Sequence, residues 1–235
     1  MRAIVLGLCL SVLSLSASEI YASFNVEAQK SANLAFIASG IVNSVKVDVG
    51  SSVKTNDILA TLENSDIEAI LESSKTTLEY AKKDFDRQTK IKKLIDEGTF
   101  DSYAYKYENA KNQLAYQQSL FNKTFLQAPF DGVIYEKAIE VGDAVSGMML
   151  KTVFKIQSEK KRKLVLSFDQ KYNKQVVVGQ TFKYKVDGDE TVYQGVISKV
   201  IPHANANNRK VQAEVEAEGF MVGLFGDGTI ITSEK

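Results

Sequence analysis

The sequence predicts an α+β protein, mainly β, in which one small β-rich domain is interrupted by a helical hairpin and followed by a small β-barrel. Three observations predict this architecture. Two β-rich stretches, 40–53 and 132–145, are copies of one another. The residues between them have helical periodicity. From Leu164 onward, short alternating segments are separated by turn residues, which is typical of a barrel or sandwich.

The two copies align at a constant offset of 92 residues. The matching pairs are Gly40 and Gly132, Val49 and Val141, Gly50 and Gly142, and Val53 and Val145. Glycine supplies a positive φ without steric cost, so we expect a turn at Gly50 and, by the repeat, at Gly142. The repeat predicts a single domain made of residues 39–63 and 124–161, with the hairpin inserted between its halves.

Residues 64–123 are predicted to form two antiparallel helices packed as a coiled coil. Apolar residues recur at seven-residue spacing in both arms: Leu71, Leu78, Phe85, and then Tyr107, Leu114, Phe121. We expect Gly98 to end the first arm and Asp101 or Ser102 to cap a shorter second arm. A helical pair buried in a globular core is the alternative. The flanking copies favour a projecting hairpin, because both arms then leave one small domain at one place.

Residues 19–38 and 162–235 are assigned to the barrel. Residues 19–38 alternate between apolar and polar side chains, and a charged run at 159–163 precedes the remaining strands. The predicted later strand segments are 164–168, 176–186 with a turn at Gly179, 192–201, 211–217 and 228–232. We interpret Gly226–Gly228 as a turn.

The first 18 residues are predicted to be a secretory signal peptide. Arg2 precedes an apolar run at 3–13, and Ser16–Ser18 offers small residues for cleavage before Glu19. The run is shorter than the roughly 20 residues of a membrane span. An uncleaved signal that acts as an anchor is the alternative.

Cys9 is the only cysteine and would leave with the signal peptide. The exported chain would then depend on packing and not on disulfides. A lipoprotein modified at Cys9 is a further alternative, which the bulky Leu8 before it disfavours.

Composition and motifs predict no catalytic residue, no cofactor and no metal site. The formal net charge is zero, so nothing indicates a nucleic-acid partner. His203 is the only histidine and lies in a polar loop. Zinc sites need clusters of cysteine and histidine that this chain lacks. Met148 and Met149 suggest a soft-metal site only weakly, and packing is the simpler interpretation.

The split repeat resembles the two halves of a biotinyl/lipoyl carrier domain, also called a barrel-sandwich hybrid. In true carriers, the tight turn between the halves holds a lysine that is modified. Here the whole hairpin replaces that turn. The resemblance therefore implies the carrier fold without the carrier lysine.

Split domain, hairpin and barrel together resemble the periplasmic adaptor proteins, or membrane fusion proteins. Further matching stretches are 128–134, 178–180, 195–202 and 208–211. The resemblance implies a non-enzymatic adaptor in the periplasm, in a ring of three or six copies. It would join an inner-membrane transporter of the resistance-nodulation-division type to an outer-membrane channel, in a pump that exports drugs or metals.

Two alternatives stay open at this point. One is an adaptor of an ATP-driven exporter or type I secretion system, and the other is a lipoyl/biotinyl-like carrier or binding module. Many members of the adaptor family also have a membrane-proximal domain. Because the predicted barrel strands reach Thr232, we expect no such domain in this chain.

The resemblance places a partner contact at the hairpin tip. Family members usually show an arginine, a leucine and a serine at fixed spacing around a glycine. Counted from Gly98, those positions hold Lys90, Leu94 and Asp101, so only the leucine is retained. Lysine keeps the positive charge without the bidentate donor geometry of arginine. The implied contact residues are therefore Lys90, Leu94, Gly98 and Asp101.

Overall fold

The computed structural model describes residues 17–233. Within them the chain forms two long helices, α1 (Ser65–Lys90) and α2 (Glu97–Asn122). Its strands are β1 (Ala17–Ala28), β2 (Ser31–Leu34), β3 (Gly40–Val45), β4 (Ser52–Val53), β5 (Ile58–Leu62), β6 (Phe125–Gln127), β7 (Gly132–Lys137), β8 (Ala144–Val145), β9 (Phe154–Gln157), β10 (Lys161–Asp169), β11 (Thr181–Val186), β12 (Tyr193–Asn205), β13 (Lys210–Glu218) and β14 (Phe225–Ser233).

The predicted signal peptide lies mostly outside the described residues, which begin at Ala17. Its predicted cleavage point, between Ser18 and Glu19, falls within β1. Neither α1 nor α2 is apolar enough over a sufficient length to cross a membrane, and the described part of the chain has no other helix that could. The chain divides into two compact units, of which one is residues 30–159 and the other contains the segments on either side.

The second unit is a closed antiparallel barrel with the strand order β1-β10-β13-β12-β11-β14. Apolar side chains alternate along its strands and point inward, as in β10, where every second residue is buried. Phe24 packs edge-on against Phe182 and Tyr184, with ring centroids 5.8 and 5.3 Å apart. Edge-to-face aromatic packing of this kind adds to the free energy of burying the rings.

The predicted turn at Gly226–Gly228 is wrong, because these residues lie inside β14. A Cβ on Gly226 would lie 2.2 Å from the carbonyl oxygen of Lys185 and 2.5 Å from the Phe24 ring. A Cβ on Gly228 would lie 2.2 Å from the carbonyl oxygen of Lys183. The absence of a Cβ at these glycines therefore permits the close approach of β11, and such close backbone approach is a common reason for glycine inside a strand.

The split domain in residues 30–159 contains two four-stranded sheets, with orders β2-β9-β7-β4 and β6-β5-β3-β8. The sheets are related by the sequence repeat. β7 begins and ends 92 residues after β3, and β8 does the same relative to β4. Each sheet therefore takes strands from both sides of the hairpin, and the architecture confirms the predicted fold class.

Two backbone hydrogen bonds between the halves of the split domain are also related by the offset of 92 residues. The N–H of Gly50 donates to the carbonyl of Ile134 at 2.8 Å, and the N–H of Gly142 donates to that of Val42 at 2.9 Å. Both glycines have positive φ, 88° and 93°, as the repeat predicts. Each copy thus holds the turn of the other copy, so neither half is complete alone.

One boundary differs from the prediction. The sequence pattern assigns all of residues 19–38 to the barrel, whereas β2, which lies within this range, pairs with β9 in the split domain. Phe36 is buried in the same core as Phe154 and Ile156. The alternating pattern of residues 19–38 continues smoothly across this boundary, although its two parts pack in different cores.

The two helices of the hairpin are of equal length, 26 residues each, so the expectation of a shorter second arm is wrong. The seven-residue seam holds. Phe85 stacks on Tyr107 with ring centroids 5.4 Å apart and meets Phe100 at 5.6 Å. Leu71 and Ala110 are the two fully buried residues within α1 and α2. Most other hairpin side chains are open to solvent.

Candidate functional site: the hairpin tip

The tip is defined here as residues 90–101, where the chain turns from one helix to the other. α1 ends at Lys90, and a single 3-10 turn covers Lys92–Leu94. Ile95 is then extended, with φ −118° and ψ 157°, and α2 begins at Glu97. Each arm of 26 residues measures about 39 Å at 1.5 Å per residue, so the tip lies far from the split domain.

Asp96 is the N-cap of α2. Its carboxylate accepts a hydrogen bond from the N–H of Thr99 at 2.8 Å, which satisfies one of the free donors at a helix start. The Thr99 hydroxyl and then its N–H hold the pKa of Asp96 below its ordinary value. Asp96 stands three residues before Thr99 with Glu97 between them, a pattern that could have identified this cap from sequence.

This geometry corrects two expectations. Gly98 lies within the first turn of α2 and does not have the left-handed conformation that ends a helix. Asp101 lies inside α2, so it is not the cap. Its carboxylate is still well placed, because a negative charge near a helix N-terminus interacts favourably with the helix dipole.

Leu94 is 84% exposed, one of the most exposed large apolar side chains in the described structure. The seam beneath it is already filled by Phe85, Phe100 and Tyr107. Leu94 therefore does not close the hairpin. It presents apolar area to solvent at the far end of the molecule's longest element.

Three exposed lysines precede Leu94 within four residues: Lys90, Lys92 and Lys93. The ammonium of Lys92 lies 4.3 Å from the centroid of the Phe100 ring. Within residues 17–233, no ion pair involves any of these lysines, nor Glu97 or Asp101. Of these three lysines, the family resemblance implies only Lys90 as a contact residue. The signal for the other two is the cluster itself, three lysines within four residues at a helix end.

The other candidate groups are scattered. His203 is exposed, and Met148 and Met149 are 94% and 79% exposed in the loop after β8. Across residues 17–233, no three His, Cys, Asp or Glu side chains are arranged to hold a metal ion. Met149 lines a cleft of about 760 Å³ in the split domain, together with Phe36 and Val153.

Sequence comparison identifies the relatives of the split domain and hairpin. Residues 30–157, more than half of the chain, match the CzcB-like barrel-sandwich hybrid domain. The cobalt-zinc-cadmium resistance protein CzcB of Cupriavidus metallidurans is 29% identical over 134 residues, which cover 50% of this chain and 26% of that protein. A cation efflux system protein CzcB from Alcaligenes is 28% identical over the same length. The chain thus matches about a quarter of the length of these relatives.

Solved structures share the fold at low sequence identity. A MacA–MexA chimera, which contains the α-hairpin domain of Pseudomonas aeruginosa MexA, superposes with a TM-score of 0.84 at 18% identity, covering 93% of this chain and 83% of that one. The membrane fusion protein Spr0693 of Streptococcus pneumoniae gives 0.73 at 15% identity, covering 92% and 100%. Because the match covers residues 30–157, the chain belongs to the family that has the CzcB-like barrel-sandwich hybrid domain, and it shares the fold of a known membrane fusion protein.

Proposed function

We propose that this chain is the periplasmic adaptor subunit of a tripartite efflux pump. It joins an inner-membrane transporter to an outer-membrane channel and performs no catalysis. The hairpin tip docks on the channel, and the transporter is of the resistance-nodulation-division type. The protein works in the periplasm and is held at the inner membrane through that transporter.

The observation that carries this proposal is the exposure of Leu94 at the tip. Leu94 is an apolar side chain that the fold leaves 84% exposed at the end of two 26-residue helices, so it is available to a partner and contributes little to the hairpin seam. Full burial of a leucine by a partner contributes about 1.5–3 kcal/mol. The unpaired lysines around it add charge that selects and orients that partner.

Divalent metal cations are the first cargo to test, because the relative from Cupriavidus metallidurans is named for resistance to cobalt, zinc and cadmium. The adaptor itself has no need to bind the cargo in order to connect the other two components. Metal resistance of cells that lack the gene and are complemented with it therefore measures assembly of the pump. Dye or drug accumulation in the same strains tests the second class of cargo.

Leu94→Asp tests docking at the tip. We expect this variant to lose resistance while retaining the melting temperature and periplasmic level of the original protein, because most of the Leu94 side chain is exposed to solvent. Lys90→Ala should weaken resistance less, since one exposed charge contributes little. Gly98→Ala should have only a small effect, because Gly98 has an ordinary helical φ and its added Cβ would need the Asp96 carboxylate, 3.3 Å away, to shift slightly.

Val192→Asp is the matched control, since Val192 is a 62% exposed apolar residue on a barrel loop. It places the same charge on a comparably exposed aliphatic position far along the chain from the tip. Full resistance with Leu94→Asp, at normal protein level, would show that the tip is not the docking site. An equal loss of resistance with both variants would also reject a specific role of Leu94.

The ring of three or six copies is tested by crosslinking. Tyr80, Tyr105 and Tyr116 are 62%, 71% and 57% exposed, as expected for positions outside the seam. Cysteines placed singly at these positions should crosslink between protomers in cells that contain the transporter and channel. The natural Cys9 is replaced by serine in every variant. Monomeric products alone at all three positions would reject side-by-side hairpins.

The alternatives predict different results. An adaptor of an ATP-driven exporter would copurify with an ATPase and depend on ATP hydrolysis, not on the proton gradient. A lipoyl/biotinyl-like carrier would show a covalent adduct in the intact mass of the exported protein. We expect no adduct, because α1 and α2 stand where a carrier has its lysine-bearing turn.

A further inference from the structure

One end of the barrel gathers several loops, and it is called the basic end here. β1 runs antiparallel to β10 with Ser23 opposite Ser167, so β1 begins at the end where β10 finishes. The β12–β13 turn lies there as well, because the N–H of Gln170 donates to the carbonyl of Arg209 at 3.0 Å. The basic end therefore comprises residues 169–180, residues 203–210, the start of β1 and the end of β14, which is paired with the start of β1.

Positive charge dominates this end. Its exposed cations are Lys171, Lys174, Arg209 and Lys210. In the described part of the chain, no ion pair involves any of them. Among the residues that the structure describes, the carboxylates at this end are Glu19 and Asp169, and that of Asp169 accepts the N–H of Lys171 at 2.8 Å. The surface is thus cationic, and its cations are available to an anionic partner.

Two valines project from the same end. Val177 is 52% and Val178 60% exposed, whereas the neighbouring Val176 is buried in the barrel core. The loop around them is held by hydrogen bonds. The N–H of Val177 donates to the side-chain oxygen of Gln180 at 3.0 Å, and the N–H of Gly179 donates to the carbonyl of Ile197 at 2.9 Å. The fold therefore presents these aliphatic side chains outward beside Lys174.

The chain also leads from this end toward its apolar N-terminal run. β1 begins at Ala17, only four residues after the run at 3–13 ends. Four residues span at most about 14 Å of extended chain. If the run is kept in a membrane as an anchor, which is the alternative to cleavage, this short connection keeps the basic end close to the bilayer surface.

We propose that the basic end binds the surface of a bilayer that contains anionic phospholipids. The four cations contact the headgroup phosphates, and Val177 and Val178 enter the interfacial region. Cationic clusters beside exposed apolar residues are the combination that such surfaces attract. An acidic protein surface would match the charges, but it would not account for the position of the N-terminal run. This inference is independent of the proposed docking of the hairpin tip.

Vesicle flotation tests the charge component. The purified protein is mixed with vesicles of phosphatidylcholine alone, or with 30% phosphatidylglycerol, at low and high salt. We expect at least tenfold tighter binding to the anionic vesicles, lost at high salt. Reversal of all four cations (K171E, K174E, R209E and K210E) should abolish this preference. A control protein with four reversals elsewhere (K46E, K54E, K82E and K123E) has the same change in net charge. It should retain most of the preference for anionic vesicles.

Equal binding to both vesicle types would overturn the proposal, and so would equal losses in the two charge-reversed proteins. Any binding through the N-terminal run itself does not depend on phosphatidylglycerol, so it does not affect the comparison. A third result would also overturn the proposal: the protein binds no vesicle but binds the purified transporter, and the four reversals abolish that binding. The basic end would then be assigned to a protein partner.

A tryptophan reporter tests the apolar component. The chain contains no tryptophan, so Val178→Trp introduces a single fluorophore at the basic end. Val49→Trp is the matched control, because Val49 is 59% exposed on a turn of the split domain. Anionic vesicles should shift the emission of the first variant to shorter wavelength and leave the second unchanged. A shift in neither variant, or in both, contradicts insertion at Val178.

Discussion

The split domain and the hairpin belong to the same compact unit, yet they bury their side chains very differently. The split domain has a core of fully buried apolar residues: Phe36, Val42, Val53, Leu59, Ala60, Leu62, Ala128, Ile134, Ile139, Val153, Phe154 and Ile156. In the hairpin, α1 and α2 each bury one residue fully, Leu71 and Ala110. The first part is stabilised by a shared core, and the second by local features along its helices.

The local features of the hairpin are those of helices that pack on one side only. Exposed ion pairs join residues three or four apart, including Lys75 with Glu72 at 2.9 Å and Arg87 with Asp84. Such pairs support a helix without a core. The hairpin can therefore present most of its side chains to partners, whereas the buried side chains of the split domain stabilise its fold and are not accessible to partners.

The largest expected effect is on the shared core. Phe154 is fully buried, so Phe154→Ala should lower the free energy of unfolding of the split domain by about 3–5 kcal/mol. Phe85→Ala removes the same ring from the half-buried seam and should cost clearly less. Urea denaturation of the two variants measures both values. Equal losses would contradict the contrast between core and seam.

Deletion of the hairpin is a direct test of its independence. A chain in which residues 66–121 are replaced by a short linker should keep the two sheets of the split domain and the barrel, because each sheet is completed by strands outside the hairpin. Circular dichroism should lose its helical component, and thermal melting should remain cooperative. An unfolded product would show that the halves of the split domain need the helices to assemble.

The smallest expected effect concerns acid pH at the tip. The pKa of Asp96 is lowered by Thr99, so the cap stabilises α2 above the ordinary pKa and is lost as pH falls through the lowered value. Hydrogen exchange of the Thr99 amide should accelerate, relative to its intrinsic rate, as Asp96 becomes protonated. Asp96→Asn keeps an acceptor that does not titrate and should remove this pH dependence. Identical pH profiles for both proteins would argue against the cap.

The repeat and the helical seam could be predicted from sequence because both are periodic. An offset of 92 residues predicted the paired turns at Gly50 and Gly142, and a seven-residue spacing predicted the helical seam in which Phe85 stacks on Tyr107. These features are determined by which residue types recur at which intervals. A periodic pattern needs no knowledge of distant residues, so the sequence alone reveals it.

The predictions that were wrong concern residues whose structure depends on contacts distant in the chain, or on a choice between neighbouring residues that could each have formed a cap. Gly226 and Gly228 have the sequence pattern of a turn, whereas in the structure β11 and Phe24 pack against these glycines. β2 shares its alternation with β1 but pairs with β9, more than 120 residues later. At the tip, Gly98 and Asp101 were plausible terminators, and Asp96 is the residue whose carboxylate reaches a free N–H.

The sequence by itself thus determined the order of split domain, hairpin and barrel, since apolar periodicity and glycine at the turns specify the elements. Only the tertiary structure decided which residues are left for partners. Leu94 is exposed because Phe85, Phe100 and Tyr107 already fill the seam below it. Val177 and Val178 are exposed because the barrel core takes Val176 alone. Exposure depends on what the rest of the chain covers, which no local pattern contains.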